Sequence, residues 1–163
     1  MSDFKLVIFD FNGTLVSTKS GETFQQSADD WQWMPGRVEK CKTLVSDGVE
    51  LAIASNQAGV AFPWSRFTED EMKRELDAAG AQIGTSFIAL CCTTPNVKAL
   101  PQYHNANDTR RKPGPGMLLE AIEAAGVSAE DTLMVGDRDE DRDAAHAANV
   151  NFMWAKDYFG DKE

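Results

Sequence analysis

The chain has little of what several protein classes are built on. Among 163 residues there are three cysteines and two histidines. That is too few for a disulfide-stapled scaffold, and adjacent Cys91 and Cys92 would pair only in a strained ring, so reduced, buried thiols are expected. No apolar run approaches the roughly 20 residues that span a bilayer, and the first residues lack a basic start, a long apolar core and a small-residue cleavage site. A cytoplasmic protein with no membrane partner is expected. Basic residues are in deficit: 16 Lys and Arg against 26 Asp and Glu leave a formal charge of −10. Such a balance repels polyanions at long range and argues against a broad nucleic-acid surface, although not against local capture of one phosphate. Repeats, low-complexity tracts and linkers are absent too, and the length suits one domain over 1–163 rather than two.

What is present is an alternation of short β-rich runs ending in polar residues with helical stretches bounded by caps. It predicts an α/β fold, a parallel sheet with helices on both faces. Strands are expected over 4–9, 49–54, 86–90, 132–135 and 150–154, most of them with the unbroken apolar character of strands covered on both sides. Helices are expected over 37–46, 69–79, 116–125 and 139–148. Thr68 with Glu71 has the form of a capping box, and Gly48, Gly80 and Gly126 stand where helix C-caps belong. Two stretches, 16–34 and 91–112, break the alternation, and loops of that length in a compact domain are usually functional or hold small structure of their own.

The chemistry sits at the ends of the expected strands, where open parallel sheets bind ligands. The first ends in Asp10, followed by Asn12-Gly13-Thr14; the second in Ser55-Asn56-Gln57; the fourth in Gly136-Asp137. Lys112 adds a cation at the start of the third helix. Together they supply a carboxylate nucleophile (Asp10), donors for phosphate oxygens (Ser55, Asn56), a positive charge (Lys112) and acidic ligands for a hard cation (Asp10, Asp137). A phosphate monoester dianion repels an attacking carboxylate, so Mg²⁺ is expected as cofactor. Lys112 and Ser55 would stabilise the transferring phosphoryl oxygens. Asp141, one turn beyond Asp137, stands either to join the outer shell of the metal or to orient Lys112, and Thr14 and Arg111 are supporting residues. Arg110 and Arg111 read equally as a surface pair or a recognition element. His104 and His146 read as structural or exposed. Trp31, Trp33 and Trp64 read as core, with stacking on a substrate ring as the alternative.

These residues form four ordered motifs that resemble those of the haloacid dehalogenase (HAD) superfamily of phosphohydrolases: Asp10-Phe11-Asn12-Gly13-Thr14-Leu15, then Ser55 with Asn56-Gln57, then Lys112-Pro113, then Gly136-Asp137 through Asp141. Ala54-Ser55-Asn56-Gln57-Ala58-Gly59-Val60 and Arg111-Lys112-Pro113-Gly114-Pro115-Gly116-Met117 are closest to the branch with histidinol phosphatase, heptose bisphosphate phosphatase and the phosphatase domain of polynucleotide kinase/phosphatase. The resemblance implies a Rossmann-like, HAD-like fold with a small hairpin flap in 16–34, a substrate-side loop in 91–112 and no large cap domain. It implies phosphoaspartate formation on Asp10, with the backbone carbonyl of Asn12 as third protein ligand to Mg²⁺. The partner implied is a phosphorylated substrate, a small molecule or a nucleic-acid end.

Two departures bear on that reading. Asp108 and Arg110 stand where the heptose phosphatases carry zinc-binding thiolates, so Cys91 and Cys92 would need distant His104 to complete a tetrahedral site, and zinc is not expected. Asn12 stands where the family has the Asp that protonates the leaving oxygen and activates water. An amide has no proton to exchange at neutral pH, so a contribution of roughly 10²–10⁴-fold is missing while the backbone carbonyl remains. The pattern fits either a substrate-trapping substitution, which is favoured, or a natural protein that turns over slowly, including one that binds a phosphorylated ligand for regulation.

Overall fold

The structure is a computed structural model that describes residues 3–23, 25–56, 69–85, 87–92 and 111–162. Five strands, β1 (Leu6–Phe9), β4 (Glu50–Asn56), β5 (Ile88–Cys92), β6 (Thr132–Gly136) and β7 (Asn151–Trp154), form one sheet in the order β5-β4-β1-β6-β7. All four pairings are parallel. Two short strands, β2 (Val16–Ser17) and β3 (Gln32–Trp33), pair antiparallel as a hairpin beside the first motif. The helices are α1 (Arg37–Ser46), α2 (Glu69–Ile83), α3 (Gly116–Ala125), α4 (Asp139–Ala147) and α5 (Ala155–Phe159).

The side-chain period of two in a strand divides the core into two layers. Val7 and Phe9 of β1, with Leu51, Ile53, Leu133 and Val135, pack against α1, α2 and α5. Leu6 and Ile8, with Ala52, Ala54 and Met134, pack against α3 and α4. Every residue of β1 is buried, so the central strand is apolar without a break. Among the described residues no helix is long and apolar enough to cross a membrane.

The expected α/β architecture is the one observed, and two of the four expected helices keep their bounds. Three differences from expectation have a physical cause. Helix α2 runs through Gly80 to Ile83 rather than stopping at Ala79, because Leu76, Ala79 and Ile83 continue its buried stripe. The third strand of the expected series begins at Ile88, in register with Ala52 of β4, and reaches Cys92. Helix α5 was not legible: its five residues are held by the packing of Ala155, Tyr158 and Phe159 on the core, and so short a helix has no stability of its own. The Thr68 cap, Trp64, His104, Asp108 and Arg110 lie outside the described residues. His146 is exposed, whereas Cys41 is buried with its thiol pushed up to about 12 by burial.

Arg37 shows how the fold supports the first motif. It is 1% exposed, yet its guanidinium is fully used. Nε donates to the Thr14 carbonyl at 2.8 Å, and the two terminal nitrogens make a forked contact with Asp161 at 2.5 and 2.8 Å. The guanidinium also lies 4.1 Å from the Phe159 ring centre. A buried Arg is tolerated only when paired in this way, and here the pairing ties the Asp10 turn to the C-terminal helix.

Candidate active site

The sheet order reverses direction at β1: the chain steps outward through β4 to β5, then returns to β6 on the other side of β1. At such a switch point the connecting helices diverge and leave a crevice beyond the carboxyl ends of the strands. Asp10 follows β1 there and donates its N–H to the Val135 carbonyl of β6 at 3.0 Å. The turn after it is tight: the carbonyl of Phe11 accepts from the N–H groups of Thr14, Leu15 and Val16. Gly13 has φ +83°, and a Cβ there would overlap the carboxylate of Asp137, so glycine lets the first and fourth motifs approach each other.

Lys112 is the hub of the charges. It is 3% exposed, and its Nζ donates to Asp10 Oδ1 at 3.0 Å and Asp141 Oδ1 at 2.5 Å. Burial alone would pull its pKa down, but the two carboxylates outweigh this and hold the ammonium above its ordinary value. Burial raises the Asp10 carboxyl, Lys112 offsets part of that rise, and the nearby Asp137 charge adds to it. Asp141 turns its other oxygen to the N–H groups of Asp137 and Arg138, both at 3.1 Å. With both oxygens engaged it links Lys112 to the β6–α4 turn; each carboxylate oxygen can accept more than one hydrogen bond, so both expected roles, orienting Lys112 and joining the outer shell of the metal, fit this placement. Gly136 lies directly under this carboxylate, where a Cβ would overlap it.

Asp10, Asp137 and Asp141 each offer an oxygen within 4.8 Å of the others. An all-oxygen, anionic donor set suits a hard cation such as Mg²⁺ rather than zinc. Asp10 and Asp137, the expected side-chain ligands, are two of the three carboxylates in this set. Thr14 Oγ1 donates to Asp137 Oδ1 at 3.3 Å, a contact that orients the carboxylate.

Ser55 is buried at the end of β4 and, with Asp10, Asn12, Asn56 and Lys112, lines a pocket of about 50 Å³. Drug-sized ligands occupy roughly 300–1,000 Å³, so this pocket suits a small reacting group with the rest of its molecule outside. The Asn56 amide is spent differently from expectation. Its Nδ2 donates to the Lys112 carbonyl at 3.1 Å and its Oδ1 accepts from the Lys112 N–H at 3.0 Å. Asn56 therefore fixes the backbone that carries the lysine. Arg111 is half-buried and is not among the residues lining the pocket. Thr23, Arg138 and Glu140 do line it; Arg138 and Glu140 lie within the fourth motif, whereas no local signal marks Thr23. Trp31 is buried and meets Trp33 edge to face, with ring centres 5.8 Å apart. Both border a separate cavity of about 610 Å³ against α2.

Asn12 has partners that no sequence pattern announced. Its Nδ2 donates to Gln25 Oε1 at 3.2 Å, and its Oδ1 accepts from Gln25 Nε2 at 2.5 Å. Gln25 Nε2 also donates to Glu75 Oε1 at 2.9 Å. Glu75 is fully buried on α2, and its Oε2 has no partner. Burial pushes its pKa from an ordinary 4.5 to about 8; the Gln25 hydrogen bond works against this and the charge of Asp30 works with it. A folded-state pKa above the unfolded value means that the native state keeps a proton the unfolded chain has released. Stability should therefore fall as pH rises from about 4.5 to about 8, by at most about 1.4 kcal/mol per unit. Chemical denaturation across that range should show this slope, and Glu75→Gln should flatten it; an unchanged slope in the variant would assign the effect to other groups.

Comparison with known proteins agrees with this geometry. The family model described as Polynucleotide kinase 3 phosphatase matches residues 5–159. A 57-residue stretch is 47% identical to the bifunctional polynucleotide phosphatase/kinase of Schizosaccharomyces pombe, covering 34% of this chain and 14% of that enzyme. Over 149 residues the chain is 30% identical to the D-glycero-beta-D-manno-heptose-1,7-bisphosphate 7-phosphatase of Yersinia pestis, covering 88% of this chain and 76% of the relative. Among solved structures, the D,D-heptose 1,7-bisphosphate phosphatase of B. bronchiseptica, complexed with magnesium and phosphate, superposes with a TM-score of 0.69 at 25% identity, over 91% of this chain and 78% of that one. A HAD-like chain of Mesorhizobium loti reaches 0.76 at 21% identity, over 90% of this chain and 69% of that one, and adds support for the fold.

Proposed function

The chain belongs to the Polynucleotide kinase 3 phosphatase family of HAD-like phosphatases, and on that footing we propose that it is a phosphomonoester hydrolase acting through Asp10 in one domain without a large cap. The observation that carries the reading is the convergence of Asp10, Ser55, Lys112 and Asp141 on one small pocket, with Lys112 bonded to both carboxylates. Asp10, Asp137 and the Asn12 backbone carbonyl are the groups suited to hold Mg²⁺, which when bound neutralises charge between the carboxylate and the phosphate dianion.

In this reading an Asp10 carboxylate oxygen forms a bond to phosphorus while the bond from phosphorus to the leaving oxygen breaks, and the electron pair departs with that oxygen. Lys112 and Ser55 hold the phosphoryl oxygens. Water then releases phosphate and regenerates Asp10. Both halves need a proton carrier where the chain has Asn12. A substrate whose leaving group departs as a stable phenolate does not need the first proton. With such an aryl phosphate and Mg²⁺, about one equivalent of phenolate per chain should appear in a burst, followed by slow turnover. Mass spectrometry should find the phosphoryl group on Asp10. Asp10→Ala should abolish both signals, and a burst that survives this substitution would remove Asp10 as nucleophile. The physiological partner in this reading is a phosphorylated sugar or nucleic-acid end, to be separated by a panel of both.

A second reading, a protein that binds a phosphorylated ligand without turnover, is favoured by the Asn12–Gln25 amide pair, which satisfies an amide at this position. Equally tight, Mg²⁺-dependent binding by the chain and its Asn12→Asp variant, with no phosphate released by either, would establish it.

A further inference from the structure

The partners of Asn12 form a chain of orientation that starts in the core. Glu75 offers an acceptor oxygen, Oε1, to Gln25. With the proton of the neutral carboxyl on the unpartnered Oε2, Oε1 is a carbonyl acceptor and Gln25 presents the donor Nε2 to it. Gln25 then meets Asn12 as a reciprocal pair, its Oε1 accepting from Asn12 Nδ2 and its Nε2 donating to Asn12 Oδ1. Both ends of the Asn12 amide therefore face Gln25, and the pairing fixes the side on which Nδ2 lies. An amide nitrogen carries two hydrogens. One is used by Gln25, and the planar NH₂ group directs the other away from it. Asn12 is half-buried and lines the same pocket as Asp10, Ser55 and Lys112.

We propose that Glu75 and Gln25 are positioning residues that hold the Asn12 amide so that its remaining N–H is offered to the oxygen of a phosphomonoester bound beside Asp10. Asn12 is then a neutral hydrogen-bond donor to the ligand and not merely the place of a missing acid. The burial of the device supports a specific purpose. Gln25 is 2% exposed and Glu75 0%, and a buried carboxyl with an unpartnered oxygen is costly unless the surroundings require it. Its raised pKa keeps it uncharged near neutrality, so no full negative charge is spread through Gln25 toward the phosphate. An ionised Asp at position 12 would set an oxygen anion against Gln25 Oε1, a mismatch that the amide avoids. The proposal rests on the phosphate site described above and adds the group that binds there.

The test is calorimetric titration of the full chain with inorganic phosphate in the presence of Mg²⁺, which needs no turnover. Gln25→Met and Asn12→Ala should each weaken binding about tenfold, the worth of one hydrogen bond to a charged acceptor. The double variant should be no weaker than either single one, because both remove the same contact. Glu75→Gln keeps a neutral acceptor at Oε1 and should bind within about twofold of the parent, whereas Glu75→Leu should lose about fivefold or more. Additive losses, or a Gln25→Met chain that binds as the parent does, would overturn the proposal. A parent chain that takes up no phosphate would instead overturn the site reading on which it rests. A measurement on the unaltered chain guards against variants that fail to fold. By NMR, the Asn12 side-chain NH₂ should exchange with solvent more slowly than that of exposed Asn149, and equal exchange rates would refute the positioning chain.

Discussion

Asn12→Asp is expected to raise steady-state turnover of an aryl phosphate by at least about tenfold, and of a simple alkyl phosphate by more, within the roughly 10²–10⁴-fold range of a positioned acid or base. The two substrates differ for a physical reason. A phenolate leaves without a proton, so an acid at position 12 helps only the hydrolysis of the phosphoaspartate. An alkoxide leaves badly, so the acid helps both halves. The burst expected of the unaltered chain should therefore disappear in the variant, because the second half is no longer slow. Gln25 bears on the outcome as well: its Oε1 faces position 12 and matches a protonated carboxyl, the form that donates to a leaving oxygen. Turnover that stays within about twofold of the parent for both substrates, well below that range, would mean that position 12 does not carry proton transfer in this chain.

Lys112→Met should be the most damaging single change at the site. The substitution leaves Asp10 and Asp141 without their shared cation, although both remain buried. Removing one partner of a buried ion pair costs about 3–5 kcal/mol, mostly the cost of the charge left behind. For a chain of this length that corresponds to a fall in Tm on the order of 10 °C. Mg²⁺ should recover part of the loss, since a cation that binds the folded carboxylates stabilises the native state by mass action. Turnover in the Asn12→Asp background should fall at least about 100-fold, the scale of one lost donor to a developing oxyanion. Asp141→Asn is a second probe: its amide keeps an acceptor either for Lys112 or for the N–H groups of Asp137 and Arg138 but not for both, so it should lower Tm as well. A Lys112→Met variant that melts within a degree or two of its parent, in the absence of Mg²⁺, would show that the triad is not the stabilising unit inferred from its geometry.

These two residues also show how unevenly the site was legible. Asp10, Ser55, Lys112 and Asp137 stood out because each follows an apolar run or opens a helix in a short motif, and a motif is local. The role of Asp141 was left between two alternatives because both satisfied the spacing, and only the fold shows its second oxygen on the N–H groups of Asp137 and Arg138. Asn56 was read as a phosphate donor from its place beside Ser55. Asn56 lines the same pocket, and the fold also brings its amide to the Lys112 backbone, a contact across 56 residues that no local pattern shows. Helix α2 was placed from its periodicity, and Glu75, three residues after Met72 and four before Ala79, falls on its buried stripe; what no local pattern shows is its partner Gln25.

From the order of its apolar and polar residues the chain determined an α/β sheet and its central strand, while the expected nucleophile Asp10 and the amide Asn12, where the family resemblance implies a carboxylate, were legible from short motifs. Those features depend on residues near one another in sequence, where the alternation of strands, the helical period and the glycine turns act directly. Only the tertiary structure decided what surrounds the absent carboxylate. Gln25 is 13 residues from Asn12, and Glu75 is 50 from Gln25. Their meeting depends on how the flap hairpin lies on α2 and which way each side chain leaves its backbone. Packing over such separations joins residues with no common local pattern, and it turns an apparent deficiency at position 12 into a group held in place from the core.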